Sequence, residues 1–66
     1  MQILLNGAPT PQPDHQTIAS LLDSIGLAGR RVAVEVNGMI VPRGAHATHA
    51  LQPGDRVEIV HALGGG

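Results

Sequence analysis

Met1, Ile3 and Leu5 alternate with Gln2, Leu4 and Asn6, the period of two expected of a strand with one face in a core. On that reading Leu4 lies on the outer face as an exposed apolar residue. Asn6-Gly7 follows, a pair in which both residues tolerate the positive φ of a tight hairpin. Prolines then stand at every second position, 9, 11 and 13. Each lacks an N–H, so this second strand can pair along one side only and must be an edge. The period changes at Thr17, a candidate N-cap. Ile18, Leu21, Leu22 and Ile25 fall at i, i+3, i+4 and i+7, one apolar stripe of a helix. Gly26 stands where a left-handed cap would end it.

The period of two returns with Val32, Val34 and Val36 as inner positions of a third strand. Asn37-Gly38 is a second hairpin turn, answered by Met39-Ile40-Val41 and stopped by Pro42. The stretch 43–52 has no clean period; it reads as a connector with a turn of helix, anchored by Leu51. Pro53-Gly54 suits the two central positions of a type II turn. The last strand runs from Arg56 to Ala62 with Val57 and Ile59 inward. The order is strand, strand, helix, strand, strand, strand. The helix must cover one sheet face, because its stripe needs a partner. The two terminal strands are expected to meet at the sheet centre. The pattern predicts an α+β domain of β-grasp type, a mixed sheet of about five strands covered by one main helix. Other small α+β topologies fit the pattern too. The expected division is a folded domain over 1–63 and a flexible glycine tail over 64–66.

Composition narrows the function. At 66 residues such a domain buries only about 60% of the surface of its unfolded chain, which leaves no room for a deep catalytic pocket. The formal net charge is −1 and there are no aromatic residues. A nucleic-acid binder needs a cationic surface, and single-strand binders need rings for stacking, so nucleic acid is an unsuitable partner. Without cysteine there is no disulfide, thiolate nucleophile or Cys-based metal site. No apolar run reaches membrane-spanning length, and no basic leader precedes the first strand. A cytoplasmic protein, monomeric when free, is the expectation.

Several stretches then become familiar in order. They are Met1-Gln2-Ile3-Leu4 with Asn6, Gln16-Thr17-Ile18 with Leu21-Leu22, and Val34-Glu35-Val36-Asn37. Ile40-Val41-Pro42-Arg43, Pro53-Gly54-Asp55 and the terminal glycines complete the set. Together, over essentially the whole chain, they resemble the ThiS family of bacterial sulfur carriers of thiamine biosynthesis. The segment Asn37 to Arg43, Asn-x-x-Ile-Val-Pro-Arg, is the most specific part. The resemblance implies a ubiquitin-like β-grasp fold and a tail modified at its terminal carboxylate. It implies a ThiF-like adenylating enzyme as partner, using ATP and Mg²⁺ and itself binding zinc, with no cofactor bound by this chain. An acyl adenylate on Gly66 would become a thiocarboxylate, and the sulfur would pass to the thiazole synthase ThiG. The chain would then be a protein cosubstrate and no enzyme. The family ends in two glycines, whereas three stand here.

The tail's own chemistry agrees with that expectation. A free carboxylate is a poor electrophile and must become a mixed anhydride before a nucleophile can displace oxygen. Glycine without a Cβ lets backbone enter a narrow channel. Gly64, Gly65 and Gly66 extended reach about 10 Å beyond Leu63. With no lysine, chains of the ubiquitin type built on this protein's own side chains cannot form. Alternatives stay open: a carrier for another pathway, such as the molybdopterin type, a ubiquitin-like modifier, or a β-grasp module with an inert tail.

Other candidates are Leu4, Val60 and Leu63, as a partner-facing apolar patch on the outer sheet face. Arg43, and with it Arg56, could steer an acidic partner, and Glu35 a cationic one; solvated surface residues are the plainer reading for each. His46 and His49 stand at i, i+3 and could share a face on a helix. Without Cys or a carboxylate at ligand spacing, they make a weak metal motif.

Overall fold

A computed structural model describes residues 1–61. The elements are β1 (Gln2–Leu5), β2 (Ala8–Pro11), α1 (Ile18–Ser24), β3 (Val32–Val36), β4 (Met39–Val41), a 3₁₀ turn (Arg43–Ala45) and β5 (Arg56–His61). The expected tail over 64–66, Leu63, and Ala62 as the end of the last strand lie outside the described residues.

All five strands form one sheet in the order β2-β1-β5-β3-β4. β1 and β5 are parallel, while the β1–β2, β3–β4 and β3–β5 pairs are antiparallel. β5 is therefore the central strand, paired on both sides. The proline strand β2 is an edge, as its missing N–H groups require. Both Asn-Gly pairs adopt positive φ at both residues, 51° and 84° for Asn6-Gly7 and 53° and 85° for Asn37-Gly38. This is the geometry whose twist matches that of the strands it joins. Gly54 at φ 82° and the Asp55 N–H to Gln52 C=O bond of 3.1 Å complete the expected type II turn.

The core comes from alternate strand positions and the helix stripe. Ile3, Ile18, Leu21, Val34, Leu51 and Val57 are fully buried, each worth about 1.5–3 kcal/mol of transfer free energy. Ile25, assigned to the stripe, is instead 39% exposed. Helix α1 has already ended at Ser24, and Ile25 is its C-cap with non-helical φ and ψ; the chain turns away at Gly26 before that side chain reaches the sheet. Leu4, expected to be exposed, is half-buried.

A seven-residue helix is far too short to persist alone in water. Its N-terminus is held from outside. Thr17 Oγ1 accepts from the Ser20 N–H at 3.1 Å, as a cap should. The carbonyls of His49 and His46 accept from the Ile18 and Ala19 N–H groups at 3.1 and 2.9 Å. The aperiodic connector thus satisfies the helix's orphan donors. Leu51, buried at its end, locks it to the core.

Candidate functional site

β5 leads toward the glycine run, so what holds β5 defines the base from which any tail chemistry is presented. Two asparagines hold it. At its start, Asn37 Oδ1 accepts from the Arg56 N–H at 2.9 Å, and the Asn37 side-chain amide donates to Asp55 Oδ1 at 3.0 Å. Further along, Asn6 Oδ1 accepts from the Ile59 N–H at 2.8 Å. The Asn6 N–H donates to the Val57 carbonyl at 2.8 Å. β1 has turned away by then, and the Asn6 side chain supplies the acceptor that a longer β1 would have given. From the sequence alone both asparagines are turn formers and nothing more. A usable signal was present: asparagine at the first turn position twice, where glycine or aspartate would turn as well.

The outer sheet face follows from the register. Leu4 lies opposite Arg56, Glu35 opposite Glu58, Ala33 opposite Val60, and Ile40 opposite Glu35. Val60 is 53% and Ile40 69% exposed. Leu4 and Val60 share this face but not a neighbourhood. Val60 stands four residues beyond Leu4's partner Arg56, a separation of about 13 Å along the strand, with Glu58 between. The apolar neighbour of Val60 is Ala33. Leu63 and the residues Gly64, Gly65 and Gly66 lie outside the described residues. The two glutamates meet directly across the strands, which is unfavourable for like charges.

Arg43 lies in the 3₁₀ turn. Its Nη2 donates to the Arg30 carbonyl at 3.2 Å, which ties the turn to the loop entering β3. His46 is buried, and its Nε2 lies 3.0 Å from the Val41 carbonyl; a carbonyl only accepts, so Nε2 carries the proton. That nitrogen is committed to backbone, and His46 acts as a strut of the connector. His49 is only half-buried. Among the described residues no three His, Cys, Asp or Glu side chains gather as a metal site would need. No helix among them is long and apolar enough to cross a membrane.

Asp14 pairs with the Met1 ammonium at 3.0 Å. The hydrogen bond from that ammonium, and then its charge, hold the Asp14 carboxyl below its ordinary value. This contact joins the start of β1 to the segment after β2 and lies apart from β5.

A mixed five-stranded sheet with parallel terminal strands at its centre, one covering helix and a glycine run after the last strand defines a ubiquitin-like β-grasp protein. The ThiS family profile matches residues 3–66, and the chain belongs to that family. The chain is 33% identical, over the full length of both, to the sulfur carrier protein ThiS of Escherichia coli. It is 42% identical over 66 residues to a thiazole synthase of Magnetococcus marinus, of whose length it spans only 20%. The crystal structure of a thiamine biosynthesis protein (ThiS) from Geobacter metallireducens superposes with a TM-score of 0.87 at 30% identity, covering both chains completely.

Proposed function

We propose that this chain is a sulfur carrier of thiamine biosynthesis that reacts at the carboxylate of Gly66. The observation that carries the reading is the end-to-end likeness to the Escherichia coli ThiS protein, together with the glycine run at residues 64–66. In the proposed sequence a ThiF-like enzyme binds the tail with ATP and Mg²⁺. A carboxylate oxygen attacks the α-phosphorus, pyrophosphate leaves, and a sulfur nucleophile then displaces AMP to give the thiocarboxylate. The chain's own contribution is presentation. β5 is the central strand, pinned by Asn6 and Asn37, and Gly64 to Gly66, if fully extended, would span about 10 Å of slim backbone. The chain acts as cosubstrate and binds no cofactor. Thiazole synthase as the sulfur acceptor is supported by the ThiS-like stretch inside the Magnetococcus marinus thiazole synthase.

Intact mass after incubation with ATP, Mg²⁺, an adenylating enzyme of this class and a sulfide source tests the proposal. The expected result is a gain of about 16 Da, oxygen replaced by sulfur through an activated acyl group. Adducts on lysines of other proteins, or an unchanged mass with an enzyme that activates a known ThiS, would overturn it. Removing Gly66 alone then asks whether Gly65 is activated in its place, which defines the glycine register that the enzyme reads.

A further inference from the structure

A cavity of about 260 Å³ opens between α1, the loop entering β3 and the 3₁₀ turn, on the opposite side of the sheet from the Glu35–Glu58 pair. Its apolar wall is made by Ala19, Leu22, Ala28 and Val32. Arg30 and Arg43 line it as well, and no acidic residue does. Two of the four arginines of a chain whose net charge is −1 therefore share one small hollow. Charge of one sign over low-dielectric walls concentrates counter-ions.

We propose that this hollow is a recognition site for a carboxylate carried on a short aliphatic stem. The cationic group is already in place. The bond from Arg43 Nη2 to the Arg30 carbonyl fixes the guanidinium while leaving its other N–H donors for a ligand. A planar fork of this kind matches a carboxylate in two-point contact. The loop that presents Arg30 is held in a turn by the Arg30 N–H, which donates to the Leu27 carbonyl at 3.0 Å. Ala19, Ala28 and Gly29 add little bulk to this wall beside Leu22 and Val32, which leaves room for a few methylenes. The volume is below that of an ordinary drug-sized or nucleotide pocket, roughly 300–1,000 Å³, so the ligand is a short acid or the tip of an acidic side chain.

The test is an NMR titration of the intact chain with sodium butyrate against sodium chloride at equal ionic strength. Saturable shifts at the methyls of Ala19, Ala28 and Val32 and at Arg43 Nε are expected. Arg43→Gln should weaken butyrate binding by about tenfold, the size of one lost charge-assisted contact, while Arg56→Gln on the outer face leaves it unchanged. Ala47→Leu, at the exposed mouth, should block entry with every charge kept, so the site remains testable if Arg43→Gln loosens the turn. Shifts that grow linearly and match those of chloride, or equal binding by Arg43→Gln and the native chain, would overturn the site. A second arm separates the two sources of the carboxylate. If butyrate inhibits adenylation of the native chain but not of Arg43→Gln, the natural occupant is an acidic side chain of the activating enzyme. If butyrate binds and adenylation is untouched, the occupant is a free acid. The titration needs no carrier activity, so its failure is distinct from failure of the sulfur-carrier reading.

Discussion

Asn6 Oδ1 and the Ile59 N–H are 2.8 Å apart and 53 residues apart in the chain. The first hairpin turn thereby secures the last described strand two residues before its end at His61. Asn6 also sits at φ 51°, a conformation that asparagine tolerates better than most residues. Two separable terms follow. Asn6→Gly removes only the acceptor and should cost about 0.5–1.5 kcal/mol. Asn6→Ala also meets the left-handed penalty and should cost about 1–2 kcal/mol more. Asn6→Asp keeps both features and should restore most of the loss. Urea unfolding measures the series, and exchange of the Ile59 amide should quicken in the glycine variant. An unchanged exchange rate would show that the side chain does not hold β5.

Leu51 ends a stretch without regular structure yet is 1% exposed. Leu51→Ala should cost about 2–5 kcal/mol, as buried leucine truncations do. That is comparable with the whole stability of a domain this small, about 3–5 kcal/mol. The variant should be largely unfolded at 25 °C by circular dichroism. Ile40→Ala on the exposed face should change stability by less than about 0.5 kcal/mol.

Glu35 and Glu58 face each other on the outer sheet surface. Removing one charge should stabilise the fold, so Glu58→Gln is expected to gain about 0.2–1 kcal/mol. The gain should shrink in high salt, where the repulsion is already screened. A destabilised Glu58→Gln protein would mean that the carboxylate has a favourable partner.

Asp14 supplies a pH dependence. Its folded pKa is depressed below the ordinary 3.8 by the Met1 ammonium, first through the hydrogen bond and then through charge. An unfolded chain therefore binds this proton more readily than the folded one. The stabilisation is present in full above about pH 3.8 and disappears as pH falls through the lower folded value. Asp14→Asn should flatten that part of the stability profile in acid titrations and leave neutral pH behaviour nearly the same, since an exposed pair contributes little.

Val60 tests whether a partner reads the outer face. Val60→Asp keeps the fold, because the side chain is 53% exposed, and should raise the KM for the carrier in adenylation about tenfold or more, as loss of an interface contact does. Leu4→Asp should act differently. Leu4 is half-buried and about 13 Å away along the sheet, so it should lower stability more than it alters recognition. Unaltered adenylation kinetics for Val60→Asp would remove this face from the partner's footprint.

Much of this molecule was legible along the chain, and for a physical reason. Strand alternation, helix stripe, Asn-Gly turns and proline edge are local properties, written at fixed offsets and independent of what lies opposite. Thr17 as cap, Leu51 as anchor and Gly54 as a turn residue were readable on the same terms. The glycine run and the Asn37 to Arg43 segment are likewise plain in the sequence. Ile25 was misplaced because a stripe records periodicity but not where the helix stops.

Tertiary structure decided the rest, since those features depend on which groups packing and strand pairing bring together, and most join residues distant in sequence. It separated Leu4 from Val60 by register, committed His46 Nε2 to a backbone carbonyl, and converted an aperiodic connector into the cap of a helix. It also gave Asn6 and Asn37 their second task, gripping the central strand. Local sequence specifies which elements form and which faces are apolar. Pairing register and side-chain reach across the sheet specify which of those faces and groups meet, and these arise only when β1, β3 and β5 come together.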